Sequence, residues 1–241
     1  MYPILFSIGK VNFYTHGLMI ALGVLLGGGV IFYFARKEQL ATKSLIDLFI
    51  YSLFAGIIGA RIVYVVSYYY QFSNWKEMFH IWYGGLVSFG GIIFAFLTAG
   101  FILRKKGQSV LKWFDISTPG FFLGWAIAKV GCFLSGDTPG SIGKIPVTLF
   151  ETGWVLLISI ITFYILIWKK PLLQRFNHGV MFFVSFAVYF FGRAVYDNWR
   201  IDPKVFLSLN YSQIASAISF IVLLSVIYFI TRRKMDGGYN V

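Results

Sequence analysis

Polar residues punctuate this chain between long apolar runs. Residues 13–35, 46–70, 85–103, 113–135, 147–168, 178–199 and 206–231 each stay predominantly apolar. Most of these runs reach the roughly 18 to 20 residues that a helix needs to cross a hydrocarbon core about 30 Å thick. A membrane β-barrel would instead alternate apolar and polar positions over segments of about ten residues. The pattern predicts an all-α integral membrane protein with seven transmembrane helices. The first run contains GVLLGGG at 23–29, and glycine is frequent where membrane helices pack closely. With no fixed-period repeat, low-complexity segment or long linker, residues 1–241 read as a single polytopic membrane domain.

Composition excludes the soluble alternative. A mean hydropathy of +0.75 with 12% charged and 20% aromatic residues leaves too few polar side chains for a solvated surface. The basic residues then set orientation. Thirteen lie in alternate connections and the C-terminal tail (Arg36, Lys37, Lys43; Arg104, Lys105, Lys106, Lys112; Lys169, Lys170, Arg175; Arg232, Arg233, Lys234), and five lie on the other side (Lys10, Lys76, Lys144, Arg200, Lys204). Basic residues collect on the cytoplasmic side, so the C-terminus is expected in the cytoplasm and the N-terminus outside. Much of the net charge of +12 is accounted for in this way, with anionic membrane lipids as its partners and no nucleic acid. The N-terminal MYPILFSIGKVNF has no basic leader region and reads as mature chain. One cysteine, Cys132, excludes an internal disulfide.

The remaining three basic residues, Arg61, Lys129 and Arg193, fall inside spans. Each is about 15 or 16 positions along an outward-running span, roughly 23 Å from the inner boundary at 1.5 Å per residue. They share one layer in the outer half of the bilayer. Glu151 lies near the outer end of span 5 and reaches the same depth, and Asp197 is at i+4 from Arg193, on one helix face. A single cation near a helix end can snorkel to the headgroups, and Arg193 with Asp197 can be a structural pair. Three cations and a carboxylate from four helices fit a site better, because charges inside a membrane are costly. Such a pocket suits an anionic lipid headgroup, whose phosphate oxygens match a guanidinium fork. Tyr189, at i−4 from Arg193, reads as pocket hydroxyl or packing. His16, near the outer end of span 1, reads equally as a site residue or a satisfied polar residue. The histidines are too scattered in depth for a metal site, and Cys132 reads as a small core residue.

Short motifs add a resemblance. The stretch 115–140, DISTPGFFLGWAIAKVGCFLSGDTPG, is similar to the signature of the prolipoprotein diacylglyceryl transferase family: an early Asp and Pro, then R-x-G-[NC]-F-x-N-G-[ED] and a closing Gly. Gly131, Cys132, Phe133, Gly136, Asp137 and Gly140 match it. YTHGLM at 14–19, GARIVY at 59–64, WYGGLVSFGG at 82–91, PVTLFE at 146–151, the Tyr189/Arg193/Asp197/Arg200 ladder and SQI at 212–214 recur in the family's order. The resemblance implies transfer of the diacylglyceryl group of phosphatidylglycerol to the lipobox cysteine of prolipoprotein signal peptides, with glycerol-1-phosphate leaving. It implies no metal and no organic cofactor. It also implies a bacterial plasma (inner) membrane location. Tyr189, Arg193 and His16 are then the catalytic candidates, with Tyr189 or His16 as base. Lys129, Arg61, Glu151, Asp197, Ser135, Gly136, Asp137 and Gly140 are the headgroup-binding candidates. The Gly-rich SGDTPG lets backbone N–H groups approach a headgroup.

The chain departs from the pattern at informative places. Lys129 stands where the family has an arginine associated with the lipid phosphate, Ser135 replaces an asparagine, Phe150 a tyrosine and Asp197 the usual glutamate. Phe89 occupies a loop position where many members, though not all, carry a histidine proposed as base. Two other classes stay open: a divergent paralogue that acts on another acceptor or is inactive, and an anionic-lipid transporter. Topology is directly testable. Cysteines introduced at Asn74 and Gly143 should react with an impermeant thiol reagent from outside the cell and those at Gln108 and Gln174 should not. The reverse pattern would remove the common-depth argument.

Overall fold

The computed structural model describes residues 3–9, 11–42, 45–80, 85–136, 140–169, 176–201, 204–206 and 209–236. Among them, seven helices are long and apolar enough to cross a membrane. A short antiparallel hairpin, β1 (Ile4–Ile8) and β2 (Val11–Tyr14), leads into α1 (Thr15–Lys37). Then come α2 (Leu45–Ser67), α3 (Ser88–Lys105) and α4 (Val110–Ser135). A two-residue hairpin, β3 (Ser141–Ile142) and β4 (Ile145–Pro146), precedes α5 (Val147–Trp168). After α6 (Val180–Tyr196) a 3-10 turn covers Asp197–Trp199, and β5 (Lys204–Phe206) pairs with β6 (Leu209–Asn210) before α7 (Tyr211–Asp236). All seven expected spans are present. The edges differ where strand residues such as Phe13 and Tyr14 look like helix to a hydropathy reading.

The helices form two compact units, one of residues 1–38 and 111–241 and one of residues 39–110. In the larger, α1 and α4 cross at a pair of Gly-x-x-x-Gly steps. A Cβ on Gly23 or Gly27 would collide with the carbonyl of Gly124 or Gly120, and one on Gly124 would come within 2.7 Å of the Gly23 carbonyl. Lipid tails are as apolar as the side chains, so membrane helices associate through such close packing rather than through the hydrophobic effect. About two helical turns farther along α4, a Cβ on Gly131 would sit 2.8 Å from Met19 Cβ and 3.3 Å from His16 Cα.

The Asp115 carboxylate of α4 accepts hydrogen bonds from the N–H groups of Gly179 (2.6 Å) and Phe182 (2.9 Å) at the start of α6. These donors have no partner within their own helix, and a hydrogen bond to a charged group contributes about 1.5–3 kcal/mol. Farther along, Trp125 of α4 packs on Tyr189 of α6 with ring centroids 4.4 Å apart. From α5, Trp154 donates to the Val188 carbonyl (3.1 Å) and occupies the space that a side chain at Gly192 would need. Asn177, just ahead of α6, donates to the Ile230 carbonyl of α7. Of the seven helices α6 is the most buried, held from α4, α5 and α7.

In the smaller unit α2 and α3 also meet at glycine: a Cβ on Gly90 would lie 2.5 Å from the Gly59 carbonyl, and Gly59 itself abuts the Phe94 side chain. Steric closeness makes these positions testable. Gly124→Leu is expected to lower the thermal midpoint in detergent, since overpacking costs about 1–3 kcal/mol. Gly29→Leu should leave it unchanged, because nothing lies within 4 Å of a Cβ there. Equal midpoints for both variants would contradict the crossing.

Candidate functional site

Four helix ends of the larger unit meet at one level. Lys129 lies six residues before the end of α4, Glu151 four residues after the start of α5, and Arg193 three residues before the end of α6. Each is therefore within about 9 Å of a helix terminus along the axis. Asp197 follows in the 3-10 turn after α6, and Ser212 is the second residue of α7.

Glu151 is the centre of the arrangement. Its side chain has no exposed surface, and its Oε1 lies 2.9 Å from Lys129 Nζ and 3.3 Å from Arg193 Nη1. The same Oε1 accepts a hydrogen bond of 3.0 Å from the Tyr189 hydroxyl, which in turn accepts one of 2.6 Å from Arg193 Nη1. The other edge of the guanidinium is also held. Arg193 Nε donates to Ser212 Oγ at 2.9 Å and lies 3.4 Å from Asp197 Oδ2, while Ser212 donates to that oxygen at 2.5 Å. Arg200 Nη1 lies 3.4 Å from Asp197 Oδ1. Among the described residues, Lys129, Arg193 and Arg200 lie against the two buried carboxylates, Glu151 and Asp197.

Local sequence explains the fixed geometry. Asn210 and Gln213 exchange hydrogen bonds, Asn210 N–H to Gln213 Oε1 (3.0 Å) and Gln213 N–H to Asn210 Oδ1 (2.8 Å), a reciprocal cap at the start of α7. Asn210 Nδ2 also donates to the Asp197 carbonyl at 3.3 Å. The cap thus ties the α7 terminus to the acidic turn and points Ser212 at Arg193. Opposite, Gly140 forms a backbone bridge with Arg200, and a Cβ there would meet the Trp199 carbonyl at 2.5 Å. Gly136, at φ 78°, ends α4 with its N–H on the Cys132 carbonyl (3.0 Å), a left-handed conformation that glycine adopts without cost.

Lys129, Glu151, Tyr189, Arg193 and Asp197 are therefore brought together as the depth argument expects. Ser135, the last residue of α4, has a buried hydroxyl with no hydrogen-bond partner among the described residues. Asp137 lies outside the described residues. His16 faces α4, where its Nδ1 is 3.6 Å from Cys132 Sγ. Arg61 belongs to the smaller unit. There its guanidinium donates to the carbonyls of Met78 (2.8 Å), Glu77 (2.9 Å) and Gly85 (3.0 Å), holding the loop that follows α2. Sequence reasoning overlooked Ser212 as a site residue, although it opens the SQI motif. The Asn-x-x-Gln spacing around it, Asn210 to Gln213, was the available signal.

The match to known proteins covers nearly the whole chain. The model of the prolipoprotein diacylglyceryl transferase family matches residues 3–230. The chain belongs to that family. The phosphatidylglycerol–prolipoprotein diacylglyceryl transferase of Clostridium kluyveri is 32% identical, with 95% of this chain and 96% of the relative aligned. Transferase 1 of Clostridium perfringens is 29% identical over 97% of each chain. The enzyme from Streptococcus uberis is 28% identical over 98% of this chain and 96% of its own. Family membership and the seven apolar helices make this a multi-pass membrane protein and a transferase.

Asp197 should be indispensable to the cluster's stability. Asp197→Ala leaves Arg193 and Arg200 without their shared carboxylate, and breaking a buried pair costs about 3–5 kcal/mol. A drop in thermal midpoint of several degrees is expected for Asp197→Ala and little change for Asp197→Glu. Unchanged unfolding of the alanine variant would show that the carboxylate is not structural.

Proposed function

We propose that this chain transfers the diacylglyceryl group of phosphatidylglycerol to the lipobox cysteine thiol of prolipoproteins, and that the Lys129–Glu151–Arg193 cluster is where the lipid phosphate is held. The observation that carries the reading is that two cations from different helices converge on one buried oxygen, Glu151 Oε1. They are positioned to turn to a second anion at the same place. A phosphodiester brings one negative charge for these two cations to meet. Glycerol-1-phosphate leaves with a further charge developing on the departing oxygen, and preorganised cations stabilise that development more than they stabilise the bound lipid.

The chemistry is a displacement at carbon. The acceptor's sulfur forms a bond to the glyceryl carbon, the bond from that carbon to the phosphate oxygen breaks, and the electron pair leaves with the phosphate. The nucleophile belongs to the substrate, so Cys132 has no covalent part. Glu151 and Asp197 act on the headgroup indirectly, by holding the cations that meet it, and Tyr189 fixes the distance between Arg193 and Glu151. The protein sits in the bacterial plasma membrane, with the cluster in the outer half of the bilayer, where exported prolipoproteins present their signal peptides.

Lys129 gives the sharpest test. Lys129→Met keeps the stem and removes the charge, and loss of one such contact typically costs 10²–10³-fold in turnover. Lys129→Arg should keep or raise activity, since it supplies a fork in place of a point charge. Initial rates of peptide lipidation across a phosphatidylglycerol titration measure both. A Lys129→Met rate within about twofold of the parent would contradict the phosphate assignment, a contact worth 1.4 kcal/mol being already tenfold.

A further inference from the structure

Glu151 has a second oxygen that phosphate binding does not use. The contacts from Lys129, Arg193 and Tyr189 all fall on Oε1. Oε2 is buried and has no hydrogen-bond partner among the described residues. Buried polar atoms are almost always paired, and an orphan at a reactive centre calls for a partner that arrives later.

The transfer itself requires such a partner, because a neutral thiol must lose its proton as the carbon–sulfur bond forms. Of the two candidate bases read from the sequence, Tyr189 is not free to take it. The Tyr189 oxygen accepts from Arg193 while its hydroxyl donates to Glu151, so the phenol is used in both directions. His16 lies against Cys132, with Nδ1 3.6 Å from the sulfur. We infer that Glu151 Oε2 accepts the proton of the incoming cysteine thiol, an assignment that rests on the transferase reading above.

The step balances. The S–H bond breaks and its proton goes to Oε2. The sulfur electron pair forms the C–S bond, and the electron pair of the broken C–O bond leaves on glycerol-1-phosphate. The proton on Glu151 then passes to water as the products depart. Order follows from the same geometry. Lipid phosphate draws Lys129 and Arg193 away from Oε1, a buried anion stripped of its counter-ions is costly, and the thiol's proton removes that cost. Lipid binding therefore prepares the carboxylate, and thiol deprotonation waits for the lipid.

Purified full-length protein in detergent with dioleoyl phosphatidylglycerol and a synthetic lipobox peptide tests this through kcat, KM and their pH dependence. Glu151→Gln is expected to keep or lower KM for the lipid, because the cations lose a competitor, while kcat at neutral pH falls by about 10²–10⁴, the usual contribution of a general base. Its residual kcat should climb about tenfold per pH unit until the acceptor thiol ionises near 8.5, where the parent profile is flat. Glu151→Asp retains the carboxylate and should keep the flat profile at a reduced rate, which guards against Glu151→Gln merely failing to fold. A Glu151→Gln kcat within threefold of the parent, or an aspartate variant whose rate climbs with pH as steeply as the glutamine one, would overturn the assignment. Absence of transfer by the parent protein is a separate result and would sink the transferase reading instead.

Discussion

A carboxylate with no exposed surface, Glu151, accepts two cations and a phenol on one oxygen, and the site depends on that contact. Neither Lys129 nor Arg193 is tolerable alone in an apolar medium, and Glu151 is no more so. Together they are held as a preformed set. Asp197 in turn pairs both Arg193 and Arg200. Glu151 thereby keeps both cations oriented.

Everything else in the larger unit places these side chains. Glycine steps let α1 and α4 approach closely, and the Asp115 carboxylate fixes the far end of α6. Trp125 and Trp154 press α6 from two sides, so Tyr189 and Arg193 have little rotational freedom. The reciprocal cap at Asn210 and Gln213 brings Ser212 to the guanidinium. Precision at the Arg193 end of α6 is thus set partly by contacts at its opposite end, some 13 residues of α6 away from Arg193.

Much of this was legible in the sequence, for a physical reason. A membrane fixes depth: apolar length sets the span, and counting residues from its edge gives position along the normal. That arithmetic grouped Lys129, Glu151, Arg193 and Asp197 correctly. It says nothing about which helices are neighbours; Arg61, which the same count puts at equal depth, belongs to the smaller compact unit and there holds loop carbonyls. Ser212 escaped because a serine at a helix start is unremarkable without its partner. The hairpins at both ends of the chain escaped because apolar strand residues continue the hydropathy of the adjoining helix. Glu151, a headgroup-binding candidate in the sequence, is in contact with Lys129, Arg193 and Tyr189.

The central claim is that this buried cluster supports lipid transfer to a thiol. Purified protein reconstituted in vesicles with phosphatidylglycerol as the only anionic lipid, given a peptide with a lipobox cysteine, provides the direct measurement by mass spectrometry. The account predicts a peptide heavier by one diacylglyceryl group on the cysteine sulfur, with glycerol-1-phosphate released in equal amount. A peptide of unchanged mass, from a protein shown to be folded, would contradict it.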